Sequence, residues 1–479
     1  MKVISDFIRS YKNAGVVFKA SIWFMAVTII DKGISVITQP IINRLLSVDE
    51  VGVCGVYTSW YSIFGIFATF NLFCGVLEVY ITKYSDNKKD IIASFCTLSL
   101  LISAIFWGSV LIFSGTLSRM LELKRIYLLL MGLGITADAI ISFWSVPKRF
   151  EYSYKIYSIV IVGLFAIKSF LSIIGAYFLK SDRVLGRLLG LVLPTVCVAL
   201  VLLVFLLRNV DYKGITKYWK QGILFNLPLI PHYLSTILLS SSDRVMIQKI
   251  TSENDAGLYT VAYSFASLTL IVFTALNNSY TPMAMKSIKE KAFKKLADVT
   301  DIIVILSVLF SIFMMLLAPE GLYLLGGKKY LPALEIIPIL ITGIFLSTSY
   351  CIFSNVEFVY EKNKMIFPIT LIGTLANILL NYIFIPIYGY KVAAYTTFVG
   401  YFIIALAHYF VSRKIVGRDI YNIKKICCFL AILFIGTVAT VFLYQVNNFI
   451  RYAFVLLLLI MVCVIGVKNK NLIIKNKEK

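Results

Sequence analysis

The sequence predicts an all-α integral membrane protein of about 14 transmembrane helices. They form two six-helix bundles related by a pseudo-twofold axis along the membrane normal, plus two C-terminal helices. Three observations predict this. The chain of 479 residues is 59% hydrophobic, with mean hydropathy +0.87, more apolar surface than a soluble protein of this size buries. Its apolar runs recur at bilayer length, about 20 residues each. Its charges are 15% of residues, sum to +22, and cluster between those runs. So basic and apolar a chain is orienting itself in a membrane, not binding nucleic acid.

In chain order, Met1–Gly15 is polar and mixed in charge, without the apolar core of a signal peptide, and reads as a lead-in helix. Apolar runs then begin near Val16, Val51, Ile91, Ile126, Ile156, Val184, Gly222, Ala256, Ile302, Ala333, Met365, Val392, Ile423 and Phe449. The seventh is broken near its start by Pro228 and Pro231, which a membrane helix tolerates because neighbours satisfy the freed carbonyls. A short acidic turn, Ser252 to Asp255, precedes a helix opening at Ala256–Gly257, and Pro282–Asp298, carrying five lysines, reads as a basic amphipathic helix on an anionic leaflet or as a solvated loop. With a cytoplasmic N-terminus, about 31 of the 46 Lys and Arg fall on the cytoplasmic side and about 13 outside, so both termini are expected in the cytoplasm. The expected division is 1–210 for the first half, 211–415 for the second, and 416–479 for two added helices and a basic tail. Six helices per half is an even number, so the halves run in the same direction. The segment beginning Val51-Gly52 echoes the one beginning Ala256-Gly257, at an offset of 205 residues.

Chemistry is expected where charge enters an apolar span, because each such side chain costs roughly 2.5–3.5 kcal/mol there. Asp31 and Lys32 sit near the middle of the first helix, and Ser35 and Thr38 continue a polar stripe from Asp31 at i+4 and i+7. Asp138 lies in the fourth helix, Lys168 in the fifth, and Asp243 with Arg244 toward the far end of the seventh. These side chains should pair with one another or line a wet interior. Asn377 and Asn381 stand one turn apart on the eleventh helix, and the repeat sets Asn377 opposite Lys168. Glu357, near a helix end, is expected to snorkel or pair with loop lysines. The eight cysteines lie almost all within apolar runs, so free thiols are expected, and His232 and His408 are too few and too separated to suggest a metal site. No Walker-type nucleotide motif and no catalytic triad arrangement occurs, and the chain reads as a non-enzyme without cofactor.

The stretch PLIPHYLSTILLSSSDRVMIQK, the acidic turn and AGLYTVAYSFA together resemble the start of the second half of Wzx-type oligosaccharide flippases. KGISVITQPIINRLLSVDEVG and PKRFEYSYK are similar to the same polysaccharide transport family, within the superfamily that holds the multidrug and toxin extruders. The resemblance implies a MATE-like fold and translocation of undecaprenyl-pyrophosphate-linked oligosaccharide repeat units across the bacterial cytoplasmic membrane. Such units feed O-antigen, capsule or exopolysaccharide synthesis, so polymerase and chain-length proteins join membrane lipids as expected partners. Lys32, Lys168 and Arg244 are then the candidate pyrophosphate contacts. Asp31, Asp138, Asp243 and Asn377 are the candidate cavity or coupling residues, for a proton or sodium ion. Two alternatives stand beside this reading. One is a cation-coupled extruder of the same fold, which would want net acid in its cavity. The other is a non-transporting scaffold of a glycan-assembly complex.

Overall fold

In the computed structural model, residues 15–84, 87–208, 210, 214–446 and 448–468 are described, and among them the secondary structure is helical throughout, without strands. Thirteen segments are long and apolar enough to cross a membrane, and a fourteenth apolar helix has a shorter described apolar stretch, Asn448–Ile460. Large apolar side chains such as Ile37, Phe170 and Phe205 stand well exposed on the helices, as lipid-facing positions do. The chain resolves into two compact units that part between Leu234 and Ser235, inside the seventh span.

The first unit is built on α1 (Val16–Leu45), α2 (Val48–Thr69), α3 (Val76–Lys83), α4 (Lys88–Ile112), α5 (Ser114–Leu121), α6 (Arg125–Phe150), α7 (Tyr154–Phe178), α8 (Arg183–Leu207) and α9 (Trp219–Asn226). A capping box starts α2: Glu50 N–H donates to Ser47 Oγ (3.1 Å) while Ser47 N–H donates to Glu50 Oε2 (2.8 Å). The second span is discontinuous, because Phe70, Asn71 and Gly75 have left-handed φ of 52°, 48° and 70° between α2 and α3. Carbonyls freed at that break are satisfied from neighbouring helices. Ser103 Oγ donates to Ala68 O (2.9 Å), and Asn226 Nδ2 donates to Phe70 O (2.9 Å) and Asn71 O (2.8 Å). Backbones of α7 and α8 touch through glycines: a Cβ added at Gly175 would lie 2.0 Å from Gly186 O.

The seventh span breaks where the prolines predict. A 3₁₀ turn, Leu227–Leu229, joins α9 to α10 (Ile230–Ile250). The second unit continues from Ser235 of α10 through α11 (Glu253–Ser267), α12 (Thr269–Lys289), α13 (Phe293–Leu316), α14 (Ala318–Gly326), α15 (Ile337–Val359), α16 (Ile366–Tyr388), α17 (Val392–Val416), α18 (Ile423–Leu443) and α19 (Asn448–Lys468). Two sequence expectations are corrected here. Glu253 and Asp255 lie in the first turn of α11, N-capped by Ser252, because carboxylates are favoured at the positive end of a helix. The lysine-rich stretch is no separate surface helix: α12 runs through Pro282 to Lys289, α13 starts at Phe293, and the basic residues crowd the two helix ends. Arg451, 2% exposed, pins α19 to the junction of α13 and α14 by donating from Nη1 to Glu320 Oε2 (2.7 Å) and Leu316 O (2.9 Å) and from Nη2 to Glu320 Oε1.

Candidate functional site

The first unit holds a polar cavity of about 180 Å³ between α1, α7 and α8. On the α1 side lie Asp31, Ser35 and Thr38, the stripe expected from i, i+4, i+7 spacing. Lys168 and Ser172 come from α7, and Arg187 from α8. Lys32 is not among the lining residues and is exposed on α1, since one residue further along turns a side chain about 100° around the helix. Its place in the cavity is taken by Arg187. Neither base pairs with Asp31 within 4.0 Å, so two cations and one carboxylate face the same space unneutralised at contact distance. Lys168 Nζ stands 4.3 Å from the centroid of the Phe165 ring. Asp138, on α6, lies outside that lining. It is exposed and accepts a 2.6 Å hydrogen bond from Tyr61 Oη of α2, with Lys168 in electrostatic range.

In the second unit Asp243 is 1% exposed and is saturated by neutral donors. Its Oδ1 accepts from Asn381 Nδ2 (2.7 Å) and Asn377 Nδ2 (3.3 Å); its Oδ2 accepts from Tyr259 Oη (2.6 Å) and Thr397 Oγ1 (2.6 Å). Thr396 Oγ1 in turn donates to Asn381 Oδ1 (2.5 Å). Helices α11, α16 and α17 therefore bring donors to the one carboxylate that α10 supplies. Close approach allows it: a Cβ at Gly400 would stand 3.2 Å from Asn377 Cβ and 3.1 Å from Gly373 O. Four donors thus satisfy both oxygens of a carboxyl group that has no hydrogen bond to a cation among the described residues. Arg244 does not pair with its neighbour Asp243. Its guanidinium lies 4.6 Å from the Tyr263 ring centroid, and Nη1 donates to Ser240 O (3.3 Å).

Of the residues singled out in the sequence, Asp31 and Lys168 come together in the first unit and Asp243 and Asn377 in the second. Lys32, Asp138 and Arg244 stand outside both groups. Sequence reasoning missed Arg187, Tyr61, Tyr259, Thr396 and Thr397. Only Asn381 carried a signal, through its one-turn spacing from Asn377.

Comparison with known proteins gives consistent matches. Residues 17–288 match the family described as polysaccharide biosynthesis protein, and residues 228–383 match the MatE family. A relative from Haemophilus influenzae, described as Lsg locus putative protein 1, is 22% identical over 414 residues, covering 83% of this chain and 98% of its own. An uncharacterized membrane protein of Methanocaldococcus jannaschii is 23% identical over 420 residues, covering 80% of this chain and 82% of its own. Among solved structures, the lipid II flippase MurJ in its inward closed conformation is similar at TM-score 0.69 and 16% identity, covering 94% of this chain and all of that one. An inward-facing multidrug resistance MATE family transporter of the MOP superfamily is similar at TM-score 0.62 and 16% identity, covering 80% of this chain and 95% of that one.

Proposed function

The chain belongs to the polysaccharide biosynthesis protein family, with the fold of MOP superfamily transporters, and from that premise we propose that it flips undecaprenyl-pyrophosphate-linked oligosaccharide repeat units across the bacterial cytoplasmic membrane. The observation that carries the reading is the first-unit cavity, where Lys168 and Arg187 outnumber Asp31 and the hydroxyls of Ser35, Thr38, Ser169 and Ser172 share the wall with Gln39 and three apolar side chains. A diphosphate cannot enter hydrocarbon bare. Two bases without a carboxylate at contact distance among the described residues, beside Ser35, Thr38 and Ser172, supply charge-assisted and neutral hydrogen bonds for it. Arg244, half-buried, is assigned as a cationic contact of the second unit. Asp243 with Asn377 is assigned to the coupling cation, a proton or sodium ion. The Lys and Arg distribution supports cytoplasmic termini, and polymerase and chain-length proteins would receive the flipped unit. Extrusion of small organic cations is the alternative for this fold. The excess of base over acid in the cavity weighs against it.

Lys168→Ala and Arg187→Ala test the reading in cells. A charge-assisted contact contributes about 1.5–3 kcal/mol, so each change should cut surface polysaccharide roughly 10- to 100-fold at unchanged membrane abundance. Lys168→Arg should keep part of the activity, since charge stays while geometry changes. Wild-type display by both alanine variants would refute the assignment of the cavity. Efflux of a cationic dye that these variants do not impair would favour the extruder.

A further inference from the structure

A second buried pair of titratable groups lies in the second unit, apart from Asp243. Glu357 of α15 does not snorkel as its place near a helix end predicts. It is 0% exposed and lies with His408 of α17, also 0% exposed, at 2.5 Å between Oε1 and Nδ1. Glu357 Oε2 and His408 Nε2 have no hydrogen-bond partner among the described residues. A buried ion pair that only fastens two helices is stable when its remaining polar atoms are satisfied too; here one on each partner is not. Beside the pair, Tyr350 stacks on the imidazole at 5.4 Å. Leu239, Ile369 and Ile404 form a small core with Tyr350, Tyr401, Ala407 and Val411 on these helices.

We infer that Glu357 and His408 form a one-proton binding site that takes part in the transport cycle. Counting charge gives the reason. With Nε2 carrying its own hydrogen and one further proton between Nδ1 and Oε1, the pair is neutral overall. Released to water, that proton leaves a net negative charge in an apolar core; a second proton leaves a net positive one. Water is near, because Glu357 is two residues from the end of α15 and its carbonyl accepts from Lys362 N–H (2.7 Å) on the following connector. The ionisable groups named here on the packed elements have other partners or are neutral: on α12 Tyr280 bonds Thr300, and on α13 Asp301 is taken by Asn422 and Lys425. Tyr350 and Cys351 on α15, Tyr401 and Tyr409 on α17 and Tyr421 before α18 are phenols or a thiol, while Arg413 pairs with Asp419 at 3.3 Å. No other ion pair within 4.0 Å reaches Glu357 or His408 among the described residues. The consequence travels along α17. His408 is 11 residues beyond Thr397, which bonds Asp243, so a change in how α15 holds His408 acts on that carboxylate through about 16 Å of continuous helix.

The chain has two histidines, so protein labelled with ¹⁵N-histidine gives two ring systems, and His408→Gln identifies which is His408. Across a pH series spanning a window of about 5 to 8, the ¹⁵N signals of the His408 ring of wild type should change as the pair gains or loses its proton. In Glu357→Gln, which keeps a hydrogen bond to the ring without a carboxyl group, that change should shift by at least about one pH unit or vanish. A ring locked in one state across the window, or identical titration in Glu357→Gln, overturns the site. These spectra need no substrate, so they can fail while the flippase reading stands, and the reverse. Participation in transport is read from surface polysaccharide against external pH. Glu357→Gln should flatten a profile that wild type shows; an unaltered profile removes the pair from the cycle. If His408→Gln does not fold, Glu357→Gln against wild type carries both measurements.

Discussion

The two units treat intramembrane charge in opposite ways. In the first, Asp31, Lys168 and Arg187 face a shared cavity with no ion pair between acid and base. In the second, Asp243 is wrapped by four neutral donors from three other helices, and among the described residues no cation is within ion-pair distance. An unpaired set of charges is open to a charged ligand that can replace water. A saturated carboxylate is already bound, so a ligand there must exchange with a hydrogen bond. The first arrangement suits a large anionic cargo that comes and goes. On the proposed reading, the second serves a small cation that must replace one of those hydrogen bonds.

The largest expected effect lies in the second unit. Asp243→Ala strands the Tyr259, Thr397 and Asn381 donors in a dry site, and each buried unsatisfied group costs roughly 1–3 kcal/mol. We expect most of the variant to be lost from the monodisperse fraction after purification in detergent. Asp31→Ala removes a carboxylate with no hydrogen bond or ion pair among the described residues, and should change stability by less than about 1 kcal/mol. Equal losses in the two variants would erase the contrast between the units.

A closer comparison uses one bond found in both. Tyr61 donates to Asp138 and Tyr259 to Asp243, each at 2.6 Å, but Asp138 is exposed and Asp243 buried. Tyr259→Phe should cost about 1.5–3 kcal/mol, the range for a buried bond to a charged group, and Tyr61→Phe about 0.5–1 kcal/mol. Thermal melts of the two variants, side by side, check this. A larger loss for Tyr61→Phe would mean that the exposed carboxylate holds the first unit together.

The parts of this arrangement legible in the sequence are those that lie along one helix. Asp31, Ser35 and Thr38 announced the cavity wall because helical spacing alone puts them on one face. Pro228 announced the break of the seventh span. The break in the second span carried no proline, only Gly75 after two residues forced into left-handed backbone, and what holds it is Asn226, more than 150 residues away. Asp243 was legible as costly, yet its donors were not, since Thr397 and Asn381 are 154 and 138 residues distant. The adjacent Arg244 drew attention as a partner, but neighbours at i+1 point apart on a helix. Arg187 was hidden differently. Four residues into α8 it reads as a flanking base, and only the packing of α8 on α7 turns it into the cavity beside Lys168.

A last comparison concerns Asp182, which tests whether saturation in the first unit is confined to its edge. This residue lies between α7 and α8, outside both spans, and caps α8 by accepting from Leu185 N–H (2.9 Å). It also accepts from Lys124 Nζ (2.6 Å) and Tyr127 Oη (2.7 Å). Burial alone would raise its carboxyl, but the Lys124, Leu185 and Tyr127 bonds more than reverse that, and the group is held below the usual carboxylate range. A carboxyl lowered on folding stabilises the fold above its unfolded value, near pH 4, and loses that contribution as pH falls through its folded value. Asp182→Ala should therefore lower the melting temperature at neutral pH by an amount matching a lost cap, about 1 kcal/mol. The gap between variant and wild type should close as the buffer is taken to acid. Lys124 is mostly exposed, so its part in the effect should shrink in high salt. A loss as large as that of Asp243→Ala, or one that persists unchanged in acid, would show that the first unit depends on a saturated carboxylate as much as the second does.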